Sequence, residues 1–201
     1  TKNGSETLTS FRQALYFKEI GFNLHDTMIY AKNNPVPQFK TKRYTNAFEY
    51  MFILTKGKPN TCNYLMEKTK NAGQINSWNG KSEFAKQSAD RPRNERTIVK
   101  EKKIKTNIWE YKVGMNQTTK DKVAYGHPAQ FPEQLAKDHI ISWSNPRDLV
   151  FDPFSGSGTT AKMALLEGRN YLGIDISGEY CGIARQRLEQ AQTQQRLFAE
   201  A

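Results

Sequence analysis

The fold is decided by residues 150–160, which read VFDPFSGSGTT. Leu149 to Phe151 form a short apolar run of the kind found in buried strands, and the following Asp-Pro pair ends it because proline cannot donate to a sheet ladder. Gly156 and Gly158 lack a Cβ atom, so the backbone can turn tightly and a ligand can approach the main chain. Thr159 begins an amphipathic run that is typical of a helix. The stretch therefore predicts a strand, a glycine loop and a helix in succession.

A second strand is expected after this helix. Gly168 favours the helix end, and Tyr171 to Asp175 read as an apolar strand with an acid at its end. Strand, glycine turn, helix, strand and acid together make the nucleotide-binding half of a doubly wound sheet. The free amide groups at the helix start would face the ligand, and the carboxylate of Asp175 could hold ribose hydroxyl groups.

Two nucleotide cofactors fit this pattern. Residues 156–161 match the G-x-G-x-x-A form of the dinucleotide fingerprint, so a nicotinamide cofactor is one candidate. Asp152 favours the other, because a carboxylate directly before the loop repels a pyrophosphate but suits the sulfonium and ammonium groups of S-adenosylmethionine. A third interpretation is that Asp152 and Asp175 only cap helices and turns.

The position of the glycine loop in the chain also favours S-adenosylmethionine. Only 26 residues follow Asp175, and residues 179–198 are almost all good helix formers. The remaining strands must therefore come from upstream, whereas an ordinary nicotinamide domain has its glycine loop first. Upstream, the pattern predicts a helix from Leu8 to Ile20, strands from Leu24 to Tyr30 and from Phe48 to Leu54, renewed order from Asn107 to Tyr111, and a helix with Pro132 in its first turn.

The charge of the chain is concentrated in one region. The 201 residues carry a net charge of +10. Residues 56–105 contain 13 Lys or Arg and five Asp or Glu, and 13 − 5 gives +8 of that total. Such a patch indicates a polyanionic partner, although a solvated charged loop is the alternative. Trp78 and Phe84 could stack on bases or form a small local core. The candidate phosphate-binding residues are Arg91, Arg93, Arg96, Lys100, Lys102, Lys103 and Lys105.

Other features indicate a cytoplasmic protein in a reducing compartment. Cys62 and Cys181 lie in unrelated contexts without metal-type spacing, and the sequence shows neither a signal peptide nor a long apolar span. We therefore expect no membrane association. No metal is expected either, because the three histidines lack ligand spacing.

Two motifs resemble a known family. DPFSGSGTT at residues 152–160 is similar to the cofactor loop of the DNA amino-methyltransferases, and HPAQFP at residues 127–132 is similar to the segment that precedes this loop in their permuted β-type arrangement. The runs NLHDTMIY at residues 23–30 and FEYMFIL at residues 48–54 resemble the strands of the catalytic side. The resemblance implies an α/β fold of the Rossmann-like, S-adenosylmethionine-dependent methyltransferase type, permuted and with a basic insert.

The resemblance also implies an organisation and a function. Residues 1–57 would form part of the catalytic side of the sheet, residues 58–105 a target-recognition insert, and residues 106–201 the cofactor-binding half. The family methylates double-stranded DNA, often within restriction-modification systems, at the exocyclic amine N6 of adenine or N4 of cytosine, and either target fits the motifs. The implied cofactor-binding residues are Phe131, Asp152, Phe154, Ser155, Gly156, Ser157, Gly158, Thr159 and Asp175.

One departure from the family pattern concerns the catalytic tetrapeptide. The family uses Asp, Asn or Ser followed by Pro-Pro and an aromatic residue to hold the flipped target base, and this sequence contains no Pro-Pro dipeptide. No catalytic residue is therefore assigned. We expect Thr1 to be an internal residue of a longer enzyme and this chain alone to be inactive. A non-catalytic nucleic-acid-binding module and, less favoured, a nicotinamide-dependent oxidoreductase are the alternatives.

Overall fold

The computed structural model describes residues 6–37, 42–77, 96–114, 116–127 and 130–199. The chain divides into two compact units. One unit comprises Thr1–Asn63 together with Thr106–Ala201, and the other comprises Tyr64–Lys105. The described part contains no helix that is long and apolar enough to cross a membrane.

The first unit begins with a helix and a three-stranded sheet. Helix α1 (Thr9–Glu19) ends at Gly21, whose φ of 103° lies in the left-handed region. Strand β1 (Asn23–Lys32) lies at the centre of the sheet, antiparallel to β2 (Phe48–Thr55) and parallel to β7 (Ile108–Tyr111). These strands are rich in apolar and aromatic residues, which pack well on a pleated surface. Their buried side chains are Met28, Tyr30, Trp109 and Tyr111.

The second half of this unit is a β-α-β element. Strand β8 (Leu149–Asp152) runs parallel to β9 (Asn170–Gly173), and helix α3 (Thr159–Leu166) connects them. Parallel strands need such a crossover because the end of the first strand and the start of the second lie at opposite edges of the sheet. Helix α2 (Glu133–Trp143) packs against α3, and the long helix α4 (Gly178–Ala199) covers it from another side. A 3-10 helix (Lys122–Gly126) precedes α2.

A small apolar core joins the helices to strands β8 and β9. Ala136 and Ile140 of α2 and Met163 and Ala164 of α3 are buried, with half-buried Val150 and Tyr171 packed against them. Ala164 has no exposed surface, so any larger side chain at this position would strain the packing.

Strands β8 and β9 are not hydrogen-bonded to β1, β2 or β7. The structure therefore has two separate sheets in the described residues of the first unit, whereas the sequence predicted strands of one doubly wound sheet. An apolar run indicates that a strand forms, but strand pairing depends on contacts between distant parts of the chain.

The second unit is an antiparallel ribbon in its described part. Strand β3 (Met66–Lys68) pairs with β6 (Lys102–Ile104), and β4 (Ile75–Ser77) pairs with β5 (Arg96–Ile98). Backbone hydrogen bonds continue between the two pairs, from Thr69 to Glu101 and from Val99 to Gln74, both at 2.9 Å. A solvated charged loop was one interpretation of this region. Short strands form instead, because ladder hydrogen bonds join backbone groups whatever the side chains.

The element boundaries otherwise lie within two residues of those expected. Helix α1 is one residue shorter at each end than predicted, and β1 extends two residues beyond Tyr30. Pro132 is the N-cap of α2 and not its first residue. Asp175 follows β9 by two residues and lies outside the strand, so its carboxylate is free to turn toward the glycine loop.

Candidate functional site

The glycine loop between β8 and α3 requires its glycines. Gly156 and Gly158 have φ values of 51° and 77°, in the left-handed region that other residues avoid. A Cβ atom on Gly158 would lie 2.7 Å from the Cβ of Ala184 on α4. Helix α4 therefore packs directly on the backbone of the loop, and only glycine allows this approach.

The carboxylate of Asp175 binds the glycine loop, and we call the part of the loop that it binds the front. Its Oδ2 accepts a hydrogen bond from the Gly156 amide at 2.8 Å, and its Oδ1 accepts one from the Ser177 amide at 2.9 Å. These backbone donors, Ser177 first, and the nearby His127 lower the pKa of the carboxyl group below its ordinary value. An ionised carboxylate has room for about four hydrogen bonds, so Asp175 can still accept hydroxyl groups of a ligand.

Asp152 and Ser155 are also placed at this end of the strands. The Oδ1 atom of Asp152 accepts a hydrogen bond from the Phe154 amide at 3.0 Å, which is a local turn contact. The amide of Ser155 donates to the carbonyl of Ile174 at 2.9 Å and so joins the loop to the chain beyond β9. The hydrogen bonds expected if Asp152 and Asp175 cap turns are thus present at both residues. Both residues also lie at the predicted cofactor loop.

His127 is a residue of the site that sequence reasoning missed. A Cβ atom on Gly156 would lie 2.9 Å from its Nε2, so the imidazole ring covers the loop. Its ring also contacts Tyr180 of α4 edge to face, at 4.5 Å between centroids. The signal was present in the HPAQFP motif, but only its phenylalanine was assigned to the pocket.

Exposed apolar side chains are adjacent in sequence to the loop and to the acid. Phe154 is 88% exposed, and Ile176, which directly follows Asp175, is fully exposed. Phe131, just before α2, is 38% exposed. A planar apolar group bound beside Asp175 would have such side chains to contact, and Ile176 is a second residue that sequence reasoning did not assign.

A buried ring of four charged side chains binds the loop through Arg187, and we call the part of the loop that Arg187 binds the rear. Arg187 of α4 is completely buried and pairs with Asp121 and Glu133. Lys162 of α3 pairs with the same two carboxylates, at 2.7 Å and 2.9 Å. Burial opposes ionisation of Asp121, but its hydrogen bonds to Lys162 and Arg187 and their positive charges outweigh this effect and lower its pKa. Nothing in the local sequence distinguished Arg187 from the other polar residues of α4.

The predicted phosphate-binding residues are only partly described. Arg91, Arg93, Trp78 and Phe84 lie outside the described residues, and Arg96 is described by its backbone alone, in β5. Lys100, Lys102 and Lys103 are exposed at or near β6, and Lys105 is half-buried. Lys103 pairs with Glu67 at 3.0 Å. In the described ranges, no three histidine, cysteine, aspartate or glutamate residues are grouped as a metal site would require.

A glycine loop opening a helix, with a bound acid after the next strand, defines a Rossmann-like nucleotide-cofactor domain. A model of the family described as DNA methylase matches residues 2–186. The orphan methyltransferase M.BamHII of Bacillus amyloliquefaciens is 53% identical over 191 residues, which cover 94% of this chain and 71% of that protein. The type II methyltransferase M.HinfI of Haemophilus influenzae is 28% identical over 182 residues, which cover 90% of this chain but only 43% of that protein.

A solved structure shows the same fold. The crystal structure of the M1.HpyAVI-SAM complex is 27% identical and aligns with a TM-score of 0.56 over 92% of this chain and 70% of that one. The chain belongs to the DNA methylase family. This confirms the predicted enzyme class, DNA amino-methyltransferases dependent on S-adenosylmethionine, and its Rossmann-like α/β fold, and decides against a nicotinamide oxidoreductase. The domain boundaries and the individual site residues stay predictions.

The packing of α4 on the loop predicts unequal effects of two glycine substitutions. Gly158→Ala and Gly168→Ala both place a side chain in the left-handed region, which costs about 1–2 kcal/mol. Gly168 has open space around it, whereas Gly158 faces Ala184. We expect Gly158→Ala to lower the free energy of unfolding by about 1–3 kcal/mol more than Gly168→Ala, as measured by urea denaturation. Equal losses would contradict the close approach of α4.

The lowered pKa of Asp175 predicts an acid-dependent loss of stability. A carboxyl group whose pKa is lower in the folded state stabilises the protein above its unfolded pKa and loses this contribution as the pH falls through the folded pKa. The free energy of unfolding should therefore fall more steeply below the ordinary aspartate value of 3.8 in the unmodified chain than in Asp175→Asn. Asp26→Asn on β1 serves as the control and should keep the steep fall.

Proposed function

We propose that this chain is the cofactor-binding and DNA-contacting part of a site-specific DNA methyltransferase. The enzyme would transfer a methyl group from S-adenosylmethionine to N6 of adenine or N4 of cytosine. The observation that carries the proposal is the carboxylate of Asp175, held by the Gly156 and Ser177 amides at the glycine loop. The similarity to the methyltransferases M.BamHII and M.HinfI supports it.

The residues at the loop fit this cofactor. Asp175 would accept the ribose hydroxyl groups, and the exposed side chains of Phe154 and Ile176 offer apolar surface to the adenine ring. The carboxylate of Asp152 would attract the cationic amino acid end. The loop from Ser155 to Thr159 would wrap the methionine part, with Phe131 at the edge of the pocket.

The reaction would require accurate positioning more than strong acids or bases. S-adenosylmethionine, when bound, supplies an electrophilic methyl group on a sulfonium. The lone pair of the target amine would take up this methyl group as the C–S bond breaks, with the C–S electrons going to sulfur and the proton of the amine going to water. The contribution of the described residues is to hold the cofactor in a fixed orientation, because alignment of the reacting atoms lowers the barrier.

The ribbon of the second unit supports contact with DNA. Lys68 and Lys102 are directly opposite each other in the β3–β6 pair, and like charges in that position destabilise a ribbon. Neither has an ion pair within the described residues, in contrast to Lys103 with Glu67. A phosphate bound between Lys68 and Lys102 would relieve their repulsion, and a two-stranded ribbon fits the major groove.

Cofactor binding by this chain tests the first part of the proposal. We expect S-adenosylhomocysteine to bind saturably in isothermal titration, and Asp175→Ala to weaken binding at least tenfold, because two or more hydrogen bonds to a charged acceptor are lost. Asp26→Ala should bind like the unmodified chain. A folded sample that binds neither S-adenosylhomocysteine nor S-adenosylmethionine would reject the cofactor role, and tight duplex binding in that sample would favour the non-catalytic module.

Salt dependence tests the second part. Each lysine that contacts a phosphate adds about 0.9 to the slope of log K against log salt. The double variant Lys68→Gln, Lys102→Gln should therefore bind a DNA duplex more weakly and with a slope reduced by about 2. The control is Lys18→Gln, at an exposed position of α1, measured by fluorescence anisotropy across a salt series. An equal slope in the unmodified chain, the double variant and the control would favour the alternative of a solvated charged region without a polyanionic partner.

A further inference from the structure

We propose that Arg187 is a positioning residue for the cofactor, which holds the two walls of the pocket in register. One wall is the glycine loop, and the other carries His127 and Phe131. The inference rests on the proposed cofactor site, and it assigns to a residue outside the sequence motifs the task of fixing the shape of that site.

The guanidinium of Arg187 completes a closed ring of alternating charges. Its Nε donates to Oδ2 of Asp121 at 2.8 Å, and its Nη2 donates to Oε1 of Glu133 at 2.6 Å. Lys162 donates to the same two oxygen atoms and closes the ring. Two positive and two negative charges therefore balance, which lowers the cost of burying an arginine that has no exposed surface.

The remaining nitrogen atom of the guanidinium, Nη1, binds the glycine loop. Nη1 of Arg187 donates to the carbonyl oxygen of Ser157 at 2.7 Å and reaches the hydroxyl oxygens of Ser157 and Thr159 at 3.2 Å and 3.1 Å. The loop is thus bound by Arg187 through the Ser157 carbonyl and by Asp175 through the amide of the neighbouring Gly156. Ser157 and Thr159 are themselves 3% and 4% exposed, so these contacts are shielded from water.

The two carboxylates of the ring lie on either side of His127 and Phe131 in the sequence. Asp121 directly precedes the 3-10 helix that leads to His127, and Glu133 begins α2 two residues after Phe131. One guanidinium therefore binds both the residue before the 3-10 helix and the first residue of α2. The imidazole of His127 lies over Gly156, so the relative position of the two walls decides how much room a ligand has.

Lysine cannot replace arginine in this role. The guanidinium presents five donors in a fixed fork, whereas an ammonium presents its donors from one nitrogen atom. At this position an ammonium can pair with the carboxylates, but it cannot reach the Ser157 carbonyl at the same time. Arg187→Lys thus preserves the charge balance and removes the tie to the loop. Arg185→Lys is the matched control, because Arg185 lies on the same helix and is exposed.

The test measures cofactor binding and backbone protection in the whole chain. In isothermal titration with S-adenosylhomocysteine, we expect Arg187→Lys to weaken binding at least tenfold and Arg185→Lys to leave it unchanged. In hydrogen exchange without cofactor, Arg187→Lys should speed exchange at residues 155–161 and 119–127 together, with the amides of β1 and β2 unaffected. Unchanged binding and unchanged exchange in a folded Arg187→Lys protein would overturn the inference.

Two further outcomes separate this inference from the proposed function. If the unmodified chain fails to bind S-adenosylhomocysteine, the cofactor role fails, and with it the positioning of a cofactor by Arg187, even if both walls exchange faster in the variant. If Arg187→Lys does not fold, Glu133→Gln decides, because it removes the charge of the ring member on α2 and leaves Asp121 in place. It should weaken binding several-fold and speed exchange at residues 130–136, and binding equal to that of the unmodified chain would overturn the inference.

Discussion

The buried guanidinium of Arg187 is the interaction on which the cofactor half of the molecule depends. An arginine without exposed surface is tolerated only when its donors find acceptors and its charge is balanced. Here the acceptors come from the 3-10 helix region, from α2 and from the glycine loop, while α4 supplies the arginine. Satisfying this one side chain therefore fixes four parts of the chain relative to one another. The apolar core of this half is small, so the polar ring supplies part of the specificity of its packing.

The front of the glycine loop follows the opposite principle. Asp175 is half-buried, and two backbone amides keep its carboxylate ionised and oriented. Because only part of its hydrogen-bonding capacity is used, the acid is ready for a ligand without any rearrangement. The loop thus has a permanently satisfied rear face and a partly satisfied front face. This difference explains how a glycine-rich stretch can be both well positioned and able to bind.

The two units differ in the interactions that hold their residues in place. The first unit holds its site by buried contacts between helices, strands and loop. The second unit, in its described part, is a ribbon held by backbone hydrogen bonds and by the surface pair of Glu67 with Lys103. Ile75 and Ile98 face each other across the ribbon and are 62% and 71% exposed. A ribbon of this kind leaves Lys68 and Lys102 available for a polyanion, because they are not needed to hold a core.

The sequence by itself determined the β-α-β element, the glycine loop, the acid that follows it, the class of enzyme and the location of the basic region. These features are local, because apolar runs, glycines at a tight turn and a charge excess can each be read from one continuous stretch of the sequence. Only the tertiary structure decided that Arg187 meets Asp121, 66 residues earlier in the chain, and that His127 covers Gly156. It also decided the separation of the two sheets and the pairing of the ribbon. The physical reason is that each of these depends on which distant groups satisfy one another's charges and hydrogen bonds, and no local pattern in the chain encodes that choice.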